Sequence, residues 1–145
     1  MTEPSASARP RPVLEGMTAA YYEHCARGEL RFQRCDDCGA WRHPPRVLCA
    51  ACGSPRWSWQ RSSGRGRIFT WTVVHQAMSP AFVSEVPYAV IVVETDEGVR
   101  VVANLRGAGP EVLRLDLPVE VTFEVVDDGL TLPMFRPVDP AGACE

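Results

Sequence analysis

The back half of the chain alternates. In VEVTFEVV (119–126), Val119, Val121, Phe123 and Val125 fall on one side and Glu120, Thr122 and Glu124 on the other. That is the period of two expected of a strand with one buried face. RIFTWTVVH (67–75), YAVIVVET (88–95), VRVVANL (99–105) and LTLPMF (130–135) share its wealth of β-branched and aromatic residues. Asp96-Glu97-Gly98 and Asp127-Asp128-Gly129 supply tight turns. Five short antiparallel strands predict a small barrel of the OB type. The connection RGAGPEVLRLDLP (106–118) falls where such barrels often carry a helix.

The front half has another pattern. Thr18 can cap a short helix running to about Arg27, with Gly28 as its stop signal. Met17, Tyr21 and Cys25, at i, i+4 and i+8, give that helix one apolar face, alongside Tyr22 and Ala26. It is too short to stand alone and has to pack on something. LRFQR (30–34) and WSWQR (57–61) read as strands flanking a cysteine-rich stretch, and SSGRGR (62–67) as a hinge. The predicted division is a disordered lead-in over 1–16, helix and ribbon over 17–61, barrel over 62–136 and a tail over 137–145. The class is mainly β.

The stretch between those two strands changes the picture. CDDCG (35–39) and CAACG (49–53) are two C-x-x-C pairs, each followed by glycine. Such a turn aims two sulfurs at one point, and glycine after it accepts the positive φ the turn requires. Cys35, Cys38, Cys49 and Cys52 together make the closed four-thiolate set of a structural zinc site, with Trp41, Trp57 and Trp59 available to cover a small core. Iron suits four thiolates as well. Two disulfides are the alternative, disfavoured because MTEPSASARPRP shows no secretory hydrophobic stretch. His43 lies between the pairs, but four sulfurs already fill the shell. Cys25 reads as a buried thiol and Cys144 as a bystander in the tail.

Charge narrows the function classes. Residues 1–67 carry 11 arginines against 6 acids, a net +5; residues 68–145 carry 4 against 12, a net −8; there is no lysine. Single-stranded nucleic acid is the rival ligand, since Phe69 and Trp71 could stack bases, but the acidic half repels a phosphate backbone. The longest apolar run, Tyr88 to Val93, is far short of a membrane span, and the expected location is the cytoplasm. His75 is the one histidine of the barrel half, with no nucleophile motif beside it, so a self-sufficient enzyme is disfavoured.

The series RGELRFQRCDDCG, HPPRVLCAACGS, SGRGRIFTWTVVH and VPYAVIVVETDEGVRVVANL, in that order, resembles a bacterial and archaeal family. That family joins a rubredoxin-like zinc ribbon to an OB-fold and was long catalogued as a domain of unknown function. The resemblance covers residues 21–135. It departs at Asp36-Asp37 and Ala50-Ala51, where relatives often carry proline, and it shows no fused hydratase domain. It implies a non-catalytic subunit that works with a thiolase-fold enzyme (thiolase, synthase or steroid side-chain aldolase) as a hetero-oligomer, in some members with a hydratase. The subunit would stabilise the enzyme and help hold or pass on acyl-CoA. Guanidinium groups suit the phosphates of CoA, and Arg42, Arg46, Arg65 and Arg67 flank the ribbon and hinge. Met78, Phe82 and Val83, on the long connection QAMSPAFVSEVPY, are the candidate partner surface.

Overall fold

The computed structural model describes residues 9–127 and 129–138. Cys144 and residues 1–8 lie outside them. One helix, α1 (Gly16–Ala26), precedes eight strands: β1 (Arg31–Cys35), β2 (Trp41–Arg42), β3 (Trp57–Arg61), β4 (Arg65–Val74), β5 (Tyr88–Thr95), β6 (Arg100–Asn104), β7 (Pro118–Asp127) and β8 (Leu130–Pro137). They form a three-stranded sheet in the order β2-β1-β3 and a five-stranded sheet in the order β6-β5-β4-β7-β8. All the strand ladders are antiparallel.

The larger sheet curls toward a barrel without closing as one. Its outer strands meet at a single parallel bridge, Leu105 to Phe135, reinforced by the Arg106 N–H donating to the Phe135 carbonyl at 2.8 Å. Alternation is cleanest in β5, where Ala89, Ile91, Val93 and Thr95 are buried and their neighbours half-buried. In β7 it fails at one end. A register shift between Val125 and Asp127 turns Val125 outward, 74% exposed, so the expected inward row stops at Phe123. A second shift, between Ile68 and Thr70, leaves Phe69 exposed. The connection expected to carry a helix holds only the 3-10 turn Pro110–Val112.

Helix α1 begins two residues before the predicted cap. Glu15 occupies the N-cap without a side-chain hydrogen bond, and Thr18 sits inside the first turn. The predicted stop holds: Gly28, at φ 76°, lets its own N–H reach Cys25 O and the Glu29 N–H reach His24 O. Tyr21 and Cys25 are buried, Met17 is half-buried and Ala26 is exposed. The Cys25 thiol is pushed up to about 12 by burial, which makes it an inert core group.

Ribbon and barrel share one core. Tyr21, Cys25, Leu30 and Phe32 belong to the same apolar cluster as Ile68, Ile91, Val119 and Phe135. SSGRGR is a stitched joint and not a hinge. The Ser62 N–H donates to Leu30 O, the Val121 N–H to Gly64 O and the Asp96 N–H to Arg65 O. The hydroxyls of Ser62 and Ser63 reach Glu97 and Asp96. The last part of the lead-in is also held: Arg9 pairs with Glu85 and Glu124 and lies over the Phe82 ring, and Arg11 pairs with Asp127. Composition reads such a segment as solvated because its partners lie more than seventy residues away.

Gly66 shows how closely the joint is packed. A Cβ there would meet the Glu94 carbonyl oxygen at 2.5 Å and Val93 Cγ1 at 2.7 Å. Gly66→Ala is therefore expected to destabilise the protein by about 1–3 kcal/mol, read as the urea midpoint of the metal-loaded chain. His43 is wedged between the rings of Tyr21 and Phe32, at 5.1 and 5.3 Å, and burial lowers its pKa from 6.5 to about 4. Between those two values the unfolded chain takes up a proton that the folded chain refuses, so stability falls as pH falls through that window. The loss is up to about 3 kcal/mol. His43→Gln should remove it, seen as a shallower fall in urea midpoint from pH 7 to 4.5 than the wild type shows.

Candidate metal centre

Two turns of the same construction build the centre. The Gly39 N–H donates to Cys35 O at 3.0 Å, and the Gly53 N–H to Cys49 O at 2.8 Å. Both glycines sit at positive φ, 77° and 75°, where a side chain would be strained. Each turn is tied back to its own exit: the Cys35 N–H donates to Ala40 O and the Cys49 N–H to Ser54 O, both at 2.9 Å. A side-chain clasp then joins the two. Asp37 accepts from Ser54 Oγ and from the Arg56 guanidinium, and the paired Arg56 holds its carboxyl below the usual range. Ser58 Oγ donates to Asp36 at 2.8 Å.

The result is four sulfurs from two loops at one point. The Sγ atoms of Cys35, Cys38, Cys49 and Cys52 all lie within 4.8 Å of one another. Cys35 and Cys52, and Cys38 and Cys49, stand 3.6 Å apart. A disulfide needs about 2.05 Å, and a tetrahedron of metal–sulfur bonds near 2.3 Å has edges of about 3.8 Å. The spacing therefore fits one shared cation and excludes cross-links in this arrangement. Backbone amides of Cys52 and Ala51 pull the Cys49 thiol down to about 6, and those of Cys38 and Asp37 lower Cys35 likewise. Backbone N–H groups thus favour the thiolate form of the first cysteine in each turn. Four converging sulfurs would fill the tetrahedral shell of a bound ion, and His43 is engaged between Tyr21 and Phe32.

Behind the centre, Gln33 is fully buried on β1 and acts as a hub. Its Oε1 accepts from Arg42 Nε at 2.6 Å and from the Arg46 N–H at 2.8 Å, and its Nε2 lies 3.1 Å from Met17 Sδ. Sequence patterning missed this residue, because a glutamine inside LRFQR reads as a solvent-facing strand position.

The structure separates the candidate arginines. Arg42 and Arg46 line a cleft between ribbon and barrel. Arg67 is bracketed by Glu94 at 3.1 Å and Asp116 at 3.6 Å. Arg65 is exposed on β4, opposite Glu120. On the 76–87 connection Met78 and Val83 are 92% and 63% exposed, whereas Phe82 is half-buried on Tyr88, with ring centroids 5.9 Å apart. His75 is exposed just beyond β4.

A chain whose ribbon tip is ordered by a cation should lose that order with a ligand. The reduced wild type is expected to carry one metal equivalent by elemental analysis. The double substitution Cys49→Ser, Cys52→Ser should carry none and lose the near-ultraviolet dichroism of Trp57 and Trp59. Stoichiometric metal in that variant would refute the assignment.

Known proteins match this architecture along its length. Residues 23–58 match the family model of the ChsH2 rubredoxin-like zinc ribbon domain, and residues 59–124 that of the ChsH2 C-terminal OB-fold domain. The chain is 39% identical over 132 residues to a probable enoyl-CoA hydratase alpha subunit of Thermomonospora curvata, covering 91% of this chain and 41% of that one. It thus spans about two fifths of that relative. It is 32% identical over 120 residues to a DUF35 domain-containing scaffold protein of Pyrococcus furiosus, covering 79% of each. Among solved structures, a chain of the Ltp2-ChsH2(DUF35) aldolase superposes with a TM-score of 0.81 at 38% identity, covering 88% of this chain and 98% of that one. Ribbon, joint and barrel therefore recur as one unit, and the chain belongs to the ChsH2 (DUF35) family of zinc-ribbon and OB-fold proteins.

Proposed function

We propose that this chain is a non-catalytic scaffold subunit of an acyl-CoA enzyme complex, with a thiolase-fold enzyme such as an aldolase as its partner. The observation that carries this reading is the 38% identity and 0.81 TM-score to nearly the whole of a subunit of the Ltp2-ChsH2(DUF35) aldolase. The sulfur centre agrees with it. Cys35, Cys38, Cys49 and Cys52 would hold a zinc ion whose shell is closed, so the ion shapes the ribbon and takes no part in turnover. Among the described thiols outside that centre, Cys25 is buried and inert.

Met78, Phe82 and Val83 form the face offered to the partner. Met78 and Val83 are exposed, while Phe82 is anchored by Tyr88, a pattern suited to an interface that gains its burial on assembly. Of the four arginines predicted for the phosphates of acyl-CoA, Arg42 and Arg46 are the cations offered to them, whereas Arg67 is already paired with Glu94 and Asp116 and Arg65 stands apart on β4. A nucleic-acid reading is weakened at its own stacking residues. Arg100 already lies 3.7 Å from the Phe69 ring centre, and Trp71 is packed against the core.

Co-expression with an aldolase of the Ltp2 type, and separately with a thiolase-type enzyme of the same organism, tests the reading. The expected outcome is co-elution on gel filtration with one of them, and loss of that enzyme's activity or solubility when this chain is omitted. Val83→Asp with Met78→Asp should abolish co-elution and leave metal content and folding unchanged. Separate elution from both enzymes, with unchanged activity, would overturn the proposal.

A further inference from the structure

The cleft between ribbon and barrel, roughly 370 Å³, brings three guanidinium groups to its walls: Arg42 and Arg46 from the ribbon and Arg100 from the barrel, with Glu94 as the single carboxylate. At neutral pH these four groups sum to two positive charges.

Arg42 is immobilised there. Its Nε is held by the buried Gln33, its Nη2 donates to Arg46 O at 2.9 Å, and its guanidinium lies over the Trp57 ring at 5.8 Å. Neither Arg42 nor Arg46 has a carboxylate within ion-pair distance among the described residues, whereas nine other arginines do. Arg42 Nη1 is buried without any hydrogen-bond partner. A half-buried cation with no counter-charge is costly in a folded protein, and an anion in the cleft supplies the missing charge. The same Gln33 Oε1 that holds Arg42 also accepts from the Arg46 N–H, so the two residues are set by one buried amide. On the facing wall Arg100 rests on Phe69 and shares Glu94 with Arg67. An incoming anion can take Arg100 while Glu94 stays paired with Arg67.

We infer that this cleft is a binding site for a phosphoryl dianion, made by Arg42, Arg46 and Arg100. A carboxylate offers two oxygens and is satisfied by one bidentate guanidinium. A phosphomonoester or pyrophosphate offers more oxygens and two charges, matching donors that come from both walls. Arg67, bracketed by Glu94 and Asp116, takes no part, and neither does Arg65. The site requires both modules, since neither ribbon nor barrel alone carries all three cations. Only the further identification of the anion as part of acyl-CoA rests on the proposed function.

Calorimetric titration of the metal-loaded full chain with inorganic pyrophosphate in dilute salt tests the site. Saturable binding with a Kd of about a millimolar or tighter is expected. Arg46→Ala and Arg100→Ala, which spare the Gln33 hub, should each weaken it about tenfold or more, a loss of roughly 1.4 kcal/mol. The exposed Arg114→Ala should leave it unchanged. Tighter binding of adenosine 3′,5′-bisphosphate than of pyrophosphate would support the site and mark a nucleotide head group as its source. Equal binding would support it as a site for the free anion. No saturation, wild-type affinity in both cleft variants, or tighter binding of a single-stranded oligonucleotide than of pyrophosphate would overturn it. The titration uses this chain alone, so its failure leaves the scaffold reading standing, and failed co-elution leaves the site standing.

Discussion

The burial of Phe32 in the barrel's own core is the contact on which the rest of the architecture depends. A three-stranded ribbon with a two-residue edge strand has little apolar surface to enclose. Its base becomes a solid element because Leu30, Phe32 and the Tyr21–Cys25 face of α1 pack into the cluster that contains Ile68 and Phe135. The tip is too far from that core to share in it. There the convergence of four sulfurs takes over the role of a hydrophobic interior, as is usual in modules too small to fold by burial alone. The ribbon is thus held at both ends by different physics.

Rigidity at the joint follows from that contact. With Ser62, Gly64 and Arg65 bonded across to Leu30, Val121 and Asp96, the chain has no slack where the two modules meet. Side chains from ribbon and barrel can then form one surface. A cleft with Arg42 and Arg46 on one wall and Arg100 on the other has a defined width only under that condition. A scaffold needs the same property, because a subunit that flexed at its waist could not hold a partner and a ligand in fixed relation. The four converging sulfurs fit this economy, because they tie the two turns of the tip to one point.

The features legible in the sequence are those set by neighbours along the chain. The C-x-x-C-G spacing places two sulfurs per turn whatever surrounds it, and the glycines at φ 77° and 75° stand where that spacing puts them. Strand β5 was readable from its run of β-branched residues, a local preference, whereas its burial at every second position appears only in the folded sheet. Gly28 ended α1 as expected because a left-handed stop is also local. The helix start was misplaced for a related reason. Thr18 could have capped the helix, but the chain entering from residues 9–15 lies along the barrel, and the first turn forms where that path ends, without a side-chain cap.

What the sequence by itself determined, then, was two sulfur-bearing turns, a set of strands and the places where they reverse. Only the tertiary structure decided that Gln33 is a buried hub, that Val125 and Phe69 are turned outward at shifts of register, that Arg9 and Arg11 strap the entering chain to the barrel, and that two arginines of the ribbon face a third from β6 across a cleft. Each of these depends on groups brought together from distant parts of the chain. A guanidinium's partner is chosen by distance in space, and hydrophobic period carries no information about which charges are left without one. Spacing along the chain specifies local geometry; the pairing of charges and the closing of a sheet are specified only when the chain has folded back on itself.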